Sequence, residues 1–151
     1  MKSKKQNKNI KQEKRTPILE HILGIVIIVL LFAVDRITKD YAPNKIFNYG
    51  ISFSLFPGII PIVIALSIIF LFILITIYSN LRKNIKNSIM LDFGFVFLIA
   101  GTLGNLFDRL FYGYVIDFIT ISGYFPSFNL ADIFNFIGVV LFITVLIKNS
   151  K

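Results

Sequence analysis

The sequence predicts an all-α membrane protein built as a bundle of four transmembrane helices. Three observations support this fold class: 56% of the 151 residues are hydrophobic, the mean hydropathy is +0.77, and the apolar residues fall in long blocks. Only 16% of the residues are charged, whereas soluble domains contain about 25%. A water-soluble globular protein is therefore excluded, and the length is that of one domain.

The apolar blocks cover residues of about 17–37, 59–78, 89–107 and 130–147, and we assign residues 17–148 to a single four-span domain. Each block is close to the roughly 20 residues that cross a bilayer as a helix. The first block has the shortest charge-free core, Ile22 to Val34. We interpret it as a span and not as a cleaved signal peptide, because Asp35 and Arg36 follow it and a small-x-small cleavage site does not.

The distribution of Lys and Arg predicts the orientation of the bundle. Residues 1–16, residues 80–88 and the C-terminus carry 12 of the 16 basic residues, and the two other connections carry four. By the positive-inside rule, both termini are cytoplasmic, and residues 35–58 and 108–129 lie outside. The Lys-rich tail of residues 1–16 is expected to be disordered or to lie on anionic lipid headgroups. Because the basic residues border apolar blocks, we expect membrane lipids as partners and no nucleic acid.

The composition excludes several kinds of chemistry. The chain has no Cys, so it has no disulfide, no Cys zinc site, no iron–sulfur centre and no Cys nucleophile. Its one His, His21, is predicted to be interfacial and cannot form a His metal cluster. Ser52 and Ser54 have no Lys or His partner at a plausible spacing, so a serine nucleophile is not expected. We therefore predict no metal and no cofactor.

The acidic residues gather at one side of the predicted membrane domain. Five of the eight are placed at or beyond the outer ends of the spans, and the positive-inside rule does not require this. Residues three and four apart share a helix face, so three spans each present a polar face at a similar depth. We expect these faces to turn toward each other. Their members are Asp35, Thr38 and Lys39; Thr102, Asn105, Asp108 and Arg109; and Asn129, Asp132 and Asn135.

Two carboxylates in this group are poorly explained as solvated charges. Asp132 begins an apolar span, where an unpaired carboxylate costs about 2.5–3.5 kcal/mol. Asp117 lies between apolar neighbours in an extended-looking stretch after Gly113. If this stretch folds back toward the membrane, the two carboxylates can meet and share one proton, which suits acid–base cleavage of an amide. The alternative interpretation is that these groups only anchor the helices and join them by hydrogen bonds.

Four motifs in order resemble the signal peptidase II family of bacteria, over roughly residues 30–138. They are residues 35–39 (DRITK), 48–54 (NYGISFS), 101–109 (GTLGNLFDR) with 113–118 (GYVIDF), and 128–132 (FNLAD).

The resemblance implies a four-helix membrane aspartyl endopeptidase that acts at the outer face of the cytoplasmic membrane. It would cut the signal peptide of a diacylglyceryl-modified prolipoprotein just before the lipidated cysteine. By the same resemblance, Asp117 and Asp132 are the catalytic dyad, and we expect the chain to act as a monomer. The implied substrate-binding and supporting residues are Asp35, Lys39, Asn48, Gly50, Asn105, Arg109 and Asn129.

The resemblance also implies a small extracytoplasmic β-sheet that cradles the substrate. Many family members have Ala-Ala where this chain has Ile51 and Ser52, so the shape of the substrate site is expected to differ there. Asp108 is predicted to be structural, pairing with Arg109 or with a backbone end. Gly101 and Gly104 are predicted to permit close helix contact, and Gly50 and Gly113 to form turns.

Two other function classes fit an acidic cluster in a membrane protein. A small proton-coupled transporter would place a charged residue near the bilayer midplane and often contains repeated halves, and the sequence has neither feature. A non-catalytic assembly factor would use the polar cluster as a docking surface and would tolerate Asn in place of Asp.

Overall fold

The computed structural model describes residues 17–50, 58–85, 88–121 and 125–149. The basic tail of residues 1–16 and the Ile51-Ser52 pair lie outside the described residues. Within the described part, the elements follow in the order α1, β1, α2, α3, β2, α4.

The helices are α1 (Pro17–Tyr41), α2 (Ile60–Asn84), α3 (Ile89–Phe111) and α4 (Leu130–Asn149). All four are long and apolar enough to cross a membrane, so the predicted fold class is confirmed. Every helix runs past the end of its apolar block, because polar residues continue it. The extension of α1 carries Lys39 one helical turn beyond Asp35, so both side chains lie on one helix face.

Helix α3 lies at the centre of the bundle and packs against the other three helices. It is the most buried of the four, whereas α1 and α2 expose most of their apolar side chains, as helices surrounded by lipid do. A hydrophobic core joins Leu74 of α2, Leu91 and Leu98 of α3, and Phe142 and Val145 of α4. The contact between α3 and α4 is the most extensive in the bundle.

Glycines allow α3 and α4 to approach closely. A Cβ atom on Gly101 would lie 2.4 Å from the carbonyl oxygen of Ala131, and one on Gly138 would lie 2.9 Å from the backbone nitrogen of Leu98. A Cβ atom on Gly104 would lie 2.7 Å from Oδ2 of Asp35, so this glycine also makes room for a carboxylate from α1. The prediction that Gly101 and Gly104 serve close packing is confirmed.

A two-stranded antiparallel sheet lies at one end of the bundle. Strand β1 (Ile46–Asn48) pairs with β2 (Val115–Asp117), with Ile46 opposite Asp117 and Asn48 opposite Val115. Helix α3 leads into β2 through Gly113, whose φ of +73° is unfavourable for other residues. The predicted small sheet is therefore present, and Gly113 serves the predicted turn. We call this end, with the C-termini of α1 and α3 and the N-terminus of α4, the sheet end.

A second polar cluster joins the helices at the opposite end of the bundle. Arg82 of α2 pairs with Glu20 of α1 at 3.0 Å and with Asp92 of α3 at 3.1 Å. Tyr78 donates a hydrogen bond of 2.9 Å to Asp92. These half-exposed contacts fix the end of α2 that lies farthest from the sheet.

Candidate active site

The first turn of α4 is closed by a reciprocal pair of hydrogen bonds. Asn129 precedes the helix, and its side-chain oxygen accepts from the backbone N–H of Asp132 at 3.1 Å. In return, Oδ2 of Asp132 accepts from the backbone N–H of Asn129 at 3.1 Å. This is a capping box, which satisfies two backbone donors that a helix start leaves unpaired. The local sequence therefore fixes the Asp132 carboxylate at the positive end of α4.

Asp117 reaches the same point from strand β2. Its Oδ1 accepts from Nδ2 of Asn129 at 2.7 Å, and its Oδ2 accepts from Nδ2 of Asn48 at 3.3 Å. Asn129 thus contacts both Asp117 and Asp132. Asp117 is 3% exposed, whereas Asp132 is half-buried and is the carboxylate open to solvent. Burial, together with the negative charge of Asp132, raises the pKa of Asp117 to about 6.

Asn105 of α3 joins the carboxylates to the buried charges behind them. It donates to Oδ1 of Asp132 at 2.8 Å, while its own side-chain oxygen accepts from Nδ2 of Asn129 at 3.1 Å and from Nζ of Lys39 at 3.2 Å. The two hydrogens on Nδ2 of Asn129 therefore go to Asp117 and to Asn105. This pattern leaves each of the two amides a single orientation in the network.

Lys39 is a fully buried ammonium group with three acceptors. Its Nζ atom lies 2.8 Å from Oδ2 of Asp35 and 2.9 Å from Oδ2 of Asp108, besides the contact with Asn105. The other oxygen of Asp35 accepts from the backbone N–H of Ala131 in the first turn of α4 at 2.9 Å. Asp35 and Lys39 therefore hold α1, α3 and α4 together directly behind the two candidate acids.

Asp108 is structural as predicted, but it binds other side chains than the one predicted for it. It pairs with Arg36 and Lys39 of α1, and its Oδ2 also accepts from the backbone N–H of Ile116 in β2 at 3.2 Å. The predicted pairing with Arg109 is not formed, because the guanidinium of Arg109 points to backbone oxygens of Asn105 and Gly50, at 3.3 and 3.5 Å. The predicted contact with a backbone group is present, and that group is the N–H of Ile116 in strand β2.

The other predicted polar residues lie either beside the site or in contacts within and between helices. Asn48 accepts from the backbone N–H of Gly50 at 3.1 Å, so this glycine lies in a turn beside the site. Thr38 bonds only to carbonyl oxygens of its own helix, and Asp40 is exposed. Thr102 contacts Asn135 at 3.3 Å, which is a bond between α3 and α4. The supporting residues predicted from the resemblance all lie at the sheet end, in contact with the network or next to it.

Sequence reasoning missed the part played by Arg36 and by the helix cap. Arg36 was counted only as an outer charge, although its spacing of four from Asp40 predicts an ion pair on one helix face. The cap was visible as an Asn followed three residues later by an Asp at the start of an apolar run. Neither signal identifies a site alone, since both are common in helices.

Two solved structures, each described as a bacterial membrane enzyme, have similar folds. One is 27% identical with a TM-score of 0.71, and the match covers 85% of this chain and 90% of the other. The second is 29% identical with a TM-score of 0.69, covering 85% and 94%. The chain therefore shares the fold of a class of helical bacterial membrane enzymes.

The family model described as signal peptidase (SPase) II matches residues 27–148. A lipoprotein signal peptidase of Wigglesworthia glossinidia brevipalpis is 38% identical in an alignment 147 positions long that covers 83% of this chain and 92% of the relative. The lipoprotein signal peptidase of Clostridium novyi (strain NT) is 32% identical in an alignment 151 positions long that covers 85% of this chain and 100% of the relative. The chain belongs to the signal peptidase II family and is a membrane protease. The comparisons confirm the predicted resemblance and give no support to the transporter.

Proposed function

We propose that this protease is an aspartic endopeptidase with Asp117 and Asp132 as its catalytic pair. Its substrate is a diacylglyceryl-modified prolipoprotein, and it cuts the signal peptide just before the lipidated cysteine. The observation that carries the proposal is that one residue, Asn129, binds both carboxylates: its side-chain amide donates to Asp117, and its backbone N–H donates to Asp132. Two carboxylates of different exposure that are bound to one residue are an arrangement suited to acid–base hydrolysis of an amide.

The different environments of the two acids suggest how the proton is shared. Burial and the negative charge of Asp132 raise the pKa of Asp117 to about 6, so Asp117 is the acid that holds the proton more readily. With one proton on the pair, the ionised carboxylate takes a proton from water as the water oxygen attacks the scissile carbonyl carbon. The protonated partner donates to the carbonyl oxygen, and a proton then passes to the leaving nitrogen as the C–N bond breaks.

The other polar residues have supporting roles in this proposal. Asn105 and the backbone N–H of Asn129 orient the Asp132 carboxylate. Arg109 lies close enough to both acids to act on them electrostatically, so it stabilises negative charge that develops during attack. Asn48 and Gly50 position β1 beside the site, and Lys39 with Asp35 forms its buried base.

The proposed orientation places the sheet end at the outer face of the cytoplasmic membrane and both termini inside. The count of Lys and Arg supports it, with 12 of 16 on the predicted cytoplasmic side. A proteolytic or chemical probe applied to whole cells should reach a tag inserted near β1 and should not reach a tag at either terminus. An accessible N-terminus in intact cells contradicts this orientation.

The test is cleavage of a lipid-modified precursor by the purified full chain in detergent, with an unmodified precursor as the substrate control. Replacing Asp117 or Asp132 by Asn should abolish cleavage while the protein still accumulates in the membrane. Asp92→Asn, at the opposite end of the bundle, is the matched control and should keep normal turnover. Turnover by either the Asp117 or the Asp132 variant would refute the assignment.

A further inference from the structure

We propose that Arg36 is a positioning residue for this active site: through Asp108 it holds strand β2, and with it the Asp117 carboxylate, in place. The inference rests on the proposed catalytic role of Asp117. It adds a residue of α1 that touches neither proposed acid and whose effect reaches the site through two intermediate contacts.

The first contact is at the edge of β2 that faces away from β1. In a two-stranded antiparallel ladder, alternate N–H groups point away from the partner strand. Ile116 is 6% exposed, and its N–H is donated to Oδ2 of Asp108. A buried N–H without an acceptor is costly, and Asp108 supplies the acceptor for this one. The residue that follows this anchored amide is Asp117.

The second contact neutralises Asp108. Its side chain is completely buried, and a buried carboxylate requires opposite charge. Lys39 supplies one cation but is shared with Asp35, whereas Arg36 binds the other oxygen, Oδ1. Arg36 therefore leaves Oδ2 free to accept from both Lys39 and the Ile116 amide.

Arg36 is itself fixed in place by three neighbours. Nη2 lies 3.0 Å from Oδ1 of Asp40, and the guanidinium carbon lies 5.4 Å from the ring centre of Phe107 and 5.5 Å from that of Tyr112. These are cation–π distances. Only a planar guanidinium can bind two carboxylates and lie against rings at once, so Lys at this position should serve only in part.

Loss of this support should be visible in the titration of the active site. The polar groups that face Asp117 are Asn48 from β1, Asn129 just before α4, Asp132 from α4, Lys39 from α1 and Arg109 from α3. Burial is the largest of the influences on Asp117. If β2 loosens, water reaches Asp117 and its pKa falls toward the ordinary value, which moves the alkaline limb of the kcat/KM profile to lower pH.

The experiment compares Arg36→Gln, Arg36→Lys and Arg82→Gln in the purified full chain. Arg82 also binds two carboxylates, but at the opposite end of the bundle, so it controls for the loss of an ion-pair network. Arg36→Gln should lower kcat by about 10- to 100-fold with little change in KM, because a small displacement of a reacting group has effects of this size. Arg36→Lys should fall between Arg36→Gln and the parent.

Hydrogen exchange followed by mass spectrometry supplies a readout that does not depend on cleavage. Exchange in the segment 113–118 should be faster in Arg36→Gln and unchanged in Arg82→Gln. If Arg36→Gln does not accumulate, Arg36→Lys carries the same comparison.

A merely structural role would lower the stability of the Arg36 variants to the same extent as Arg82→Gln, with unchanged kcat, unchanged alkaline limb and unchanged exchange at 113–118. That result overturns the inference. Activity of Asp117→Asn would instead refute the proposed function, and the exchange data would still decide whether Arg36 fixes β2.

Discussion

Replacing Lys39 by Met should destabilise the protein strongly, because it leaves two buried carboxylates without their shared cation. Met has a similar length and no charge, so the change removes the ammonium and little packing. Asp108 would keep Arg36 and the Ile116 N–H as partners. Asp35 would keep one partner from another element, the backbone N–H of Ala131 in α4. Most of the loss of stability therefore comes from Asp35.

Breaking a buried ion pair by removing one partner costs about 3–5 kcal/mol. All three of the distances from Lys39 Nζ are at most 3.2 Å and the residue is fully buried, so we expect a value in this range. The exposed Lys45, which donates to the backbone oxygen of Asp40, offers a matched control. Lys45→Met should change the unfolding free energy by no more than about 0.5 kcal/mol.

The assay is equilibrium unfolding in mixed detergent micelles, extended to two double variants. Adding Asp35→Asn to Lys39→Met should restore more stability than adding Asp108→Asn, since Asp35 is the less compensated acid. Equal rescue by the two Asn variants would contradict this reasoning. So would a Lys39→Met protein as stable as the parent.

Two further predictions concern Asp117 and the helix contact. The pKa of Asp117 is about 6 in the folded protein, against 3.8 for an ordinary aspartate, so the folded state binds the proton more tightly and stability falls as pH rises between these values. The parent should therefore lose about 3 kcal/mol more than Asp117→Asn over this interval; identical pH dependence of unfolding in the two proteins contradicts the raised pKa. Gly101→Ala should cost about 1–3 kcal/mol or more, because its Cβ would meet the Ala131 carbonyl oxygen at 2.4 Å. Gly24→Ala, whose Cβ would lie 3.8 Å from the nearest atom, should be neutral or slightly stabilising in the same unfolding assay; equal losses at both positions would rule out the clash.

The sequence was sufficient for the four helices because hydropathy depends only on local composition. It also indicated that polar faces of α1, α3 and α4 meet, since an unpaired polar face is costly in lipid. The ends of the helices were harder to predict from the sequence, because polar residues such as Lys39 and Arg109 continue a helix without adding hydropathy. The contacts that these polar residues make with other elements stabilise the last turns of the helices.

The placement of Asp117 and Asp132 on the same residue, Asn129, could not be worked out from periodicity. It depends on the pairing of β1 with β2, strands that lie about 70 residues apart in the chain, and three-residue strands give almost no sequence signal. The family resemblance supplied that pairing of acids. The structural role of Asp108 was predicted, but its partners were not: its two cations lie about 70 residues away on α1, and its contact with Ile116 depends on how the strand after α3 folds.

Asn129 lies between the two acids and binds the carboxylate of each. One amide group and one backbone N–H set their relative placement, and both belong to the start of α4. The two ends of the connection between β2 and α4 are also joined, by hydrogen bonds between the backbones of Phe118, Ile119 and Phe128. Insertions or deletions between residues 119 and 128 should therefore leave the relative placement of Asp117 and Asp132 unchanged.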